Sequence, residues 1–335
     1  MSKPIIIAEA GVNHNGSIKI AKRLIDVAKN AGADYVKFQT FEAKKLVTKK
    51  AKLADYQKKN LKQNKSQYQM LKKLELKKED HKKLINYCKR KKIKFLSTAF
   101  DLESLEFLVK KCKIDCIKIP SGEITNLPLL EKAASLKRKI FLSTGMSNLS
   151  EINLAIKVLN KNGCKKKDIT VLHCTTNYPA KPDELNLAAL KLLKKKFAIN
   201  VGYSDHSLGI LAPIIALSYG ASVIEKHFTL NKNLKGPDHK ASLEPEELKE
   251  MVENIKSATL MVGKELKIIS QAEKKNKQIA RKSIVAKKMI SKGEKFTKLN
   301  LTCKRPGNGI SPMNWYKVIG KKAKKKFEID EIIKN

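Results

Sequence analysis

The residues of this chain best able to do chemistry recur at the carboxyl ends of short apolar runs. SVIEKHFT (222–229) carries Glu225 and His227, AINVGYSD (198–205) carries Ser204 and leads into His206, and PIIIAEAG (4–11) carries Glu9. DYVKFQT (34–40) adds Lys37 and Gln39, KFLSTAF (94–100) adds Thr98, and CIKIPSG (116–122) adds Lys118 and Ser121. KIFLSTG (139–145) contributes Ser143, and TVLHCT (170–175) contributes His173. His206 and His227 lie 21 residues apart, yet adjacent strands in a sheet are only ~4.8 Å apart, so both imidazoles can reach one ion. Two imidazoles with Glu225 and waters suit a divalent cation such as Mn²⁺, Mg²⁺ or Co²⁺ that keeps positions open for a substrate oxygen. A closed structural zinc needs four protein ligands, which this region does not supply.

A second set is suited to an anion. Lys37 and Lys118 are cations, and Thr98, Ser121, Ser143 and Ser204 are hydroxyls; together they fit a small compound bearing both phosphate and carboxylate, because such a ligand needs charge-assisted donors in a dry site. Ser121-Gly122 and Thr144-Gly145 add backbone amides at strand-to-helix turns, a common way of holding anions. Blander readings stand beside these: Lys37 in a structural ion pair, and the hydroxyls as helix caps.

The elements that must deliver these groups follow from the spacing. Most of the eight runs are separated by stretches of helical periodicity, such as AKRLIDVAKNAGA and LSEINLAIKVLNKNG, an order that closes into a (β/α)8 TIM barrel with its active site at the carboxyl ends of the strands. A strand repeats every two residues, so Ile5, Ile7 and Glu9 share one face, as do Lys37 and Gln39, and Glu225 and His227. A charged residue on an inward face is costly unless it meets a partner or ligand at the mouth.

The 335 residues exceed the ~250 of an ordinary barrel, so an additional module is expected. The barrel is expected over 1–266, with LEPEELKEMVENIKSATLMVG (243–263) as its eighth helix, then a polar linker over 267–282. From 283 to 335 the texture changes to short β-type runs punctuated by SKGE and PGNG, which indicates a small, mostly β domain. The longest interval, Thr40 to Lys94, contains a lysine-rich piece over 41–76 with Tyr56, Tyr68 and Met70, read as an excursion over the barrel mouth, and a crossover helix over 77–92.

The net charge is +39, from 71 Lys and Arg against 32 Asp and Glu. The lysines are scattered over nearly every helical segment, and no RNP, zinc-finger or helix-turn-helix signature accompanies them, so a basic solvated surface that draws anionic substrates is favoured over a nucleic-acid tract. The six cysteines lack CxxC spacing and read as reduced thiols of a cytoplasmic protein. Neither a leader nor an apolar run of membrane-spanning length is expected. Of the remaining histidines, His173 and His239 are candidates to support the metal site, His14 shapes the first βα loop, and His81 in a helix looks incidental.

Taken together, the motifs resemble the sialic acid synthase family. The match runs over almost the whole chain: IAEAGVNHNGS (7–17), VKFQT (36–40), LSTAF (96–100), IKIPSGE (117–123), LSTGM (142–146), LHCTTNYP (172–179), GYSDHS (202–207), IEKHFTL (224–230), GPDHKASLEP (236–245) and KRPGNGI (304–310). The resemblance implies condensation of phosphoenolpyruvate with an N-acylated hexosamine, a phosphoenolpyruvate-dependent C–C bond-forming transfer, and a C-terminal antifreeze-like (SAF) domain over 283–335. It implies His206 and His227 as metal ligands, with Mn²⁺ favoured, and Lys37, Thr98, Lys118, Ser121 and Ser204 as the phosphoenolpyruvate cradle. Gln39, Tyr178, Glu225 and Asp238 resemble sugar-side groups, as does Glu9, which is also a candidate to activate water; Glu123 is their neighbour. Arg305 resembles an arginine that reaches a partner subunit's barrel, which implies a domain-swapped homodimer with no nucleic-acid or membrane partner. Two places depart from related sequences: Ala99 stands where proline is common, and Thr176, followed by Asn177, replaces an asparagine that touches phosphoenolpyruvate in some members. The expected product is N-acetylneuraminate, from N-acetylmannosamine, with legionaminate or pseudaminate from a 2,4-diacetamido-2,4,6-trideoxyhexose as the alternative. The octulosonate phosphate synthases share this chemistry but need neither the SAF domain nor the Arg305 turn.

Overall fold

The structure is a computed structural model that describes residues 3–61 and 66–334; residues 62–65 of the expected excursion lie outside the described residues. The chain divides into two compact units, Met1–Gly263 and Lys264–Asn335.

The first unit is a closed barrel of eight parallel strands in sequence order. They are β1 (Ile5–Gly11), β2 (Tyr35–Thr40), β3 (Lys94–Ala99), β4 (Cys116–Ile119), β5 (Lys139–Ser143), β6 (Ile169–Cys174), β7 (Asn200–Asp205) and β8 (Val223–His227). Closure is made by β1 against β8, with Ile5 opposite Val223 and Glu9 opposite His227. Between the strands run α1 (Ile18–Ala31), α2 (Ala43–Leu46), α3 (Asp55–Leu61), α4 (Gln67–Leu74), α5 (Lys78–Lys91), α6 (Leu102–Glu106), α7 (Leu127–Ser135), α8 (Leu149–Lys161), α9 (Ala189–Phe197) and α10 (Leu211–Ser218), with α11 (Pro245–Val262) after β8. Their boundaries follow local chemistry. The Ser17 side chain accepts from Ile20 N at the start of α1, and Gly32 ends that helix in the left-handed region at φ 83°. Asn148 and Glu151 form a capping box on α8, and Pro245 occupies the first turn of α11, where its missing N–H costs nothing.

The barrel interior is layered by the two-residue repeat. Ile7, Tyr35, Leu96, Cys116, Phe141, Leu172 and Val223 pack into an apolar plug across the strands. Two residues further along those strands stand Glu9, Lys37, Thr98, Lys118, Ser143, Cys174 and Glu225, all lining one cavity. The alternate residues, among them Ile6, Ala8, Val36, Phe38, Ile117 and Ile224, face outward into the core shared with the helices. On β7 the plug position is Gly202, where a Cβ would lie 2.6 Å from Leu172 Cδ2 and 2.7 Å from Val223 O, so no larger residue fits there.

The expected excursion contains α2, α3 and α4. Val12, Phe41, Ala43, Leu53, Met70, Leu71 and Leu74 give it a separate apolar cluster, and Asn60 Nδ2 donates to Pro237 O at 2.7 Å, tying it to the loop after β8. In the second unit, β9 (Ser283–Ala286) and β10 (Leu301–Lys304) pair antiparallel around a small core that includes Ile284, Phe296, Leu301 and Phe327. The stretch read as a polar linker contains a helix, α12 (Gln271–Ala280), started by a Ser270–Glu273 capping box. It buries no residue, so its sequence lacks the apolar stripe by which a helix is usually recognised. A last short helix, α13 (Trp315–Val318), completes the unit.

Candidate active site

At the carboxyl ends of the strands lies a cavity of about 390 Å³. Its floor is a charged quartet of residues from four strands. Lys37 Nζ lies 2.8 Å from Glu9 Oε2 and 3.6 Å from Glu225 Oε1, and Lys118 Nζ lies 3.3 Å from Glu225 Oε1. Lys37 also donates to Thr98 Oγ1 at 3.0 Å, and Ser204 Oγ donates to Glu225 Oε1 at 3.0 Å. All four charged side chains are buried, a placement tolerated because each charge has an opposite one in reach.

Their protonation follows from burial set against those neighbours. Burial by itself would raise Glu225, but Lys118 and Lys37 outweigh it and hold the carboxyl below the usual carboxylate range. Glu9 goes the other way: burial, with the Glu225 charge added, outweighs Lys37 and pushes it up. Burial would depress Lys37, but Glu225 and Glu9 reverse that and raise it, whereas Lys118 is lowered by burial. One site thus contains a carboxylate kept charged and another drawn toward neutrality, a division suited to separate roles.

The rim is aromatic. His206, just past β7, lies 5.5 Å from His227 of β8 between ring centres. The His206 Nδ1–H faces Thr175 O at 2.5 Å, and Tyr178 OH donates to Nε2 at 3.0 Å. Tyr178 stacks on His206 at 4.1 Å, and Tyr56 stacks on Tyr178 at 5.0 Å. Burial pushes His206 down to about 4 and His227 well below the usual histidine range, so both rings are neutral at physiological pH. His227 Nδ1, Glu225 Oε2 and Ser143 Oγ are buried without hydrogen-bond partners among the described residues. Asp238, pushed up to about 6 by burial, stands on the loop after β8. That loop is pinned by Leu243 N donating to His227 O at 2.9 Å and by Ser242 Oγ donating to Asp238 O at 2.7 Å.

The cavity brings together Glu9, Lys37, Gln39, Thr98, Lys118, Ser121, Ser143, Thr176, Tyr178, Ser204, His206, Glu225, His227 and Asp238. Two residues expected on this chain's own cavity, Asn177 and Glu123, are not on it. Asn177 is exposed and donates to Glu184 Oε2 at 3.0 Å, because the chain bends after the end of β6 and turns this side chain away from the cavity that Thr176 lines. Glu123, last in the turn Ser121–Glu123, accepts from Asn126 Nδ2 at 2.6 Å instead of facing the cavity. Arg305 belongs to the second unit, where it is exposed. The sequence reading missed Gln57, Gln67 and the apolar wall of Met70, Leu71 and Leu74 as cavity residues; the Tyr56/Met70 scatter was their only signal.

The remaining histidines are structural. His173 Nε2 bonds Leu185 O at 2.7 Å, and His239 Nδ1 bonds Thr229 Oγ1 at 2.7 Å. His14 Nδ1 accepts from Gly16 N at 3.0 Å within the first βα loop. His81, which looked incidental, is fully buried and bonds Thr40 Oγ1 at 2.7 Å, fastening α5 to β2. The six cysteines are free thiols, and among the described residues no helix is long and apolar enough to cross a membrane.

The fold is a closed parallel eight-stranded barrel whose mouth gathers paired lysines, carboxylates and neutral imidazoles in one cavity. Comparison with known proteins assigns the family: residues 24–267 match the NeuB family and residues 281–335 match the SAF domain, and the chain belongs to the NeuB family. It is 54% identical over 334 residues to the N,N'-diacetyllegionaminic acid synthase of Campylobacter jejuni, covering 100% of both chains. It is 46% identical over 317 residues to the enzyme of the same name from Legionella pneumophila, covering 94% of this chain and 89% of the relative. Among solved structures, the N-acetylneuraminic acid synthetase of Leptospira borgpetersenii in complex with citrate is 33% identical with a TM-score of 0.72, covering 82% of this chain and 90% of that one.

Proposed function

We propose that the protein is an N,N'-diacetyllegionaminic acid synthase, which joins phosphoenolpyruvate and water to the open-chain aldehyde of a 2,4-diacetamido-2,4,6-trideoxyhexose and releases inorganic phosphate. The observation that carries the reaction class is the buried Lys37–Glu9 and Lys118–Glu225 ion pairs in the same cavity as the His206/His227 pair. The sugar is chosen by relatedness: 54% identity over the full length to a diacetyllegionaminic acid synthase against 33% to a neuraminic acid synthetase. Legionaminate therefore displaces N-acetylneuraminate as the favoured product.

In this reading Lys37 and Lys118 hold the phosphate and carboxylate of phosphoenolpyruvate, assisted by Thr98, Ser121, Ser143 and Ser204, with its C3 turned toward the aldehyde carbon. The C3–C1 bond forms, the aldehyde oxygen takes a proton, and positive charge develops at C2 above the Glu225 carboxylate. Glu9, with its raised proton affinity, is suited to take a proton from the water that adds to C2. The C2–O bond to the phosphoryl group then breaks and phosphate leaves.

The side chains also fit a divalent cation. The Nδ1–H of His206 is committed to Thr175 O, so the Nε2 lone pair, which accepts from Tyr178 OH in the structure, is the one that would ligate a cation once Tyr178 gave way; both rings are neutral, and His227 Nδ1 is buried without a partner among the described residues. Among the described residues no three His, Cys, Asp or Glu side chains group as a metal set, so these two imidazoles would hold the ion with waters and substrate oxygen completing its shell. When bound, a cation such as Mn²⁺ would supply Lewis acidity toward the sugar carbonyl. The same reading places the protein in the cytoplasm as a domain-swapped homodimer in which Arg305 completes the partner's sugar site.

The test is phosphate release from phosphoenolpyruvate with N-acetylmannosamine or either of the two diacetamido-trideoxyhexose epimers, with and without Mn²⁺. The legionaminate precursor is expected to give the highest kcat/KM; a higher value with N-acetylmannosamine overturns the choice of sugar.

A further inference from the structure

The β7 and β8 pair in register with Ser204 opposite Glu225 and Asp205 opposite Lys226. Ser204 and Glu225 face the cavity, so Asp205 and Lys226 face the other side of the barrel wall. There Lys226 is completely buried, as is the Asp205 side chain. Lys226 Nζ reaches Asp205 Oδ2 at 2.5 Å and also donates to the backbone carbonyl of Ser207. The second Asp205 oxygen, Oδ1, accepts from Ser207 N and from Tyr203 OH, each at 2.9 Å.

These contacts enclose His206. The residue before it, Asp205, binds the amide of the residue after it, and the carbonyl of that residue is held by Lys226, which immediately precedes His227. A buried ion pair is a weak way to gain stability, since apolar residues of similar volume often serve as well or better. Its recurrent use is to fix one geometry out of several. Here it has the connections for that use, because neither member lines the cavity, yet each is covalently next to an imidazole that does.

We propose that Asp205 and Lys226 form a positioning clamp that sets the separation and orientation of the His206 and His227 rings for a shared divalent cation. The inference rests on the metal reading given above. The clamp carries no chemistry of its own; it ties the backbone of one imidazole to the strand of the other, so that ring geometry survives substrate entry and product release. Residues that orient metal ligands in this way typically alter affinity by ~10–100-fold when removed.

The experiment compares the full-length wild type with two double variants. D205N/K226M keeps an acceptor for Ser207 N and Tyr203 OH but releases the Ser207 carbonyl; D205L/K226M replaces the whole network with apolar volume and remains available if the first does not fold. Each is checked for a cooperative thermal melt, then for Mn²⁺ binding without substrate, and by NMR for the slowly exchanging Nδ1–H of His206. The expected result is a folded variant with Mn²⁺ affinity reduced about 10–100-fold and a shifted or broadened His206 proton signal, while the KM for phosphoenolpyruvate stays within twofold of wild type. Wild-type Mn²⁺ affinity in a folded double variant overturns the clamp. If the wild type itself binds no Mn²⁺, the metal reading fails, and the clamp then stands or falls on whether the His206 proton signal changes.

Discussion

The two walls of the cavity are built on different principles. The wall supplied by the strands holds Glu9, Lys37, Lys118 and Glu225 two residues beyond an apolar plug, each charge answered by another within 3.6 Å. The wall supplied by the excursion between β2 and β3 holds Tyr56, Gln57, Met70, Leu71 and Leu74, and it is organised by its own apolar cluster and by stacking on Tyr178. The strand wall places charge where the backbone geometry of eight elements agrees. The excursion wall places shape and apolar area where packing allows. The first is suited to hold reacting groups and the second to select a substrate, because electrostatic work needs fixed donors whereas discrimination between sugars is a matter of contact.

That division can be broken at either wall. The largest effect is expected for His227→Ala at the strand ends, which should fold with a cooperative melt but lose metal-dependent phosphate release; full turnover in a metal-stripped preparation would remove His227 from the chemistry. Lys118→Met, which takes a cation from Glu225, should lower kcat by about 10²–10³, and a loss of less than tenfold under saturating phosphoenolpyruvate would show that the floor is structural. On the sugar-side loop, Asp238 has its carboxyl raised from 3.8 to about 6 by burial. The folded state therefore holds this proton more tightly than the unfolded chain, so its contribution to stability is complete below about pH 4 and is lost as pH rises through about 6. That loss amounts to about 3 kcal/mol at most. Melting temperatures at pH 5 and pH 8 should lie closer together for Asp238→Asn than for wild type, and parallel pH profiles would contradict the assignment. The smallest effect is expected for Tyr56→Ala: sugar KM up about tenfold from the lost ring contact, with the KM for phosphoenolpyruvate unchanged within twofold. An equal rise in both constants would erase the distinction between the walls.

The contrast also accounts for what could be read before any coordinates. The strand wall was legible because Ile7 and Glu9, Tyr35 and Lys37, Cys116 and Lys118, and Val223 and Glu225 each stand two apart in an apolar run, and a strand turns that spacing into one face. The pairing of His206 with His227 was likewise legible, from adjacent strand ends. Thr176 and Asn177 show where this reasoning stops: outside a regular element the two-residue repeat no longer says which neighbour faces the cavity, and the structure turns Thr176 in and Asn177 out. Glu123 was misplaced for the same reason, since a tight turn rather than a strand sets its direction.

The sequence by itself determined the eight strands, the layer of charge they present, the family and the second module, because each depends on local periodicity or on extended motifs within the chain. Tertiary structure alone decided that Tyr56 stacks on Tyr178, that Asn60 fastens the excursion beside Asp238, and that Lys226 grips both flanks of His206 from behind the wall. Those contacts join residues far apart in the chain, and their energy comes from burial and from partners that no local spacing specifies.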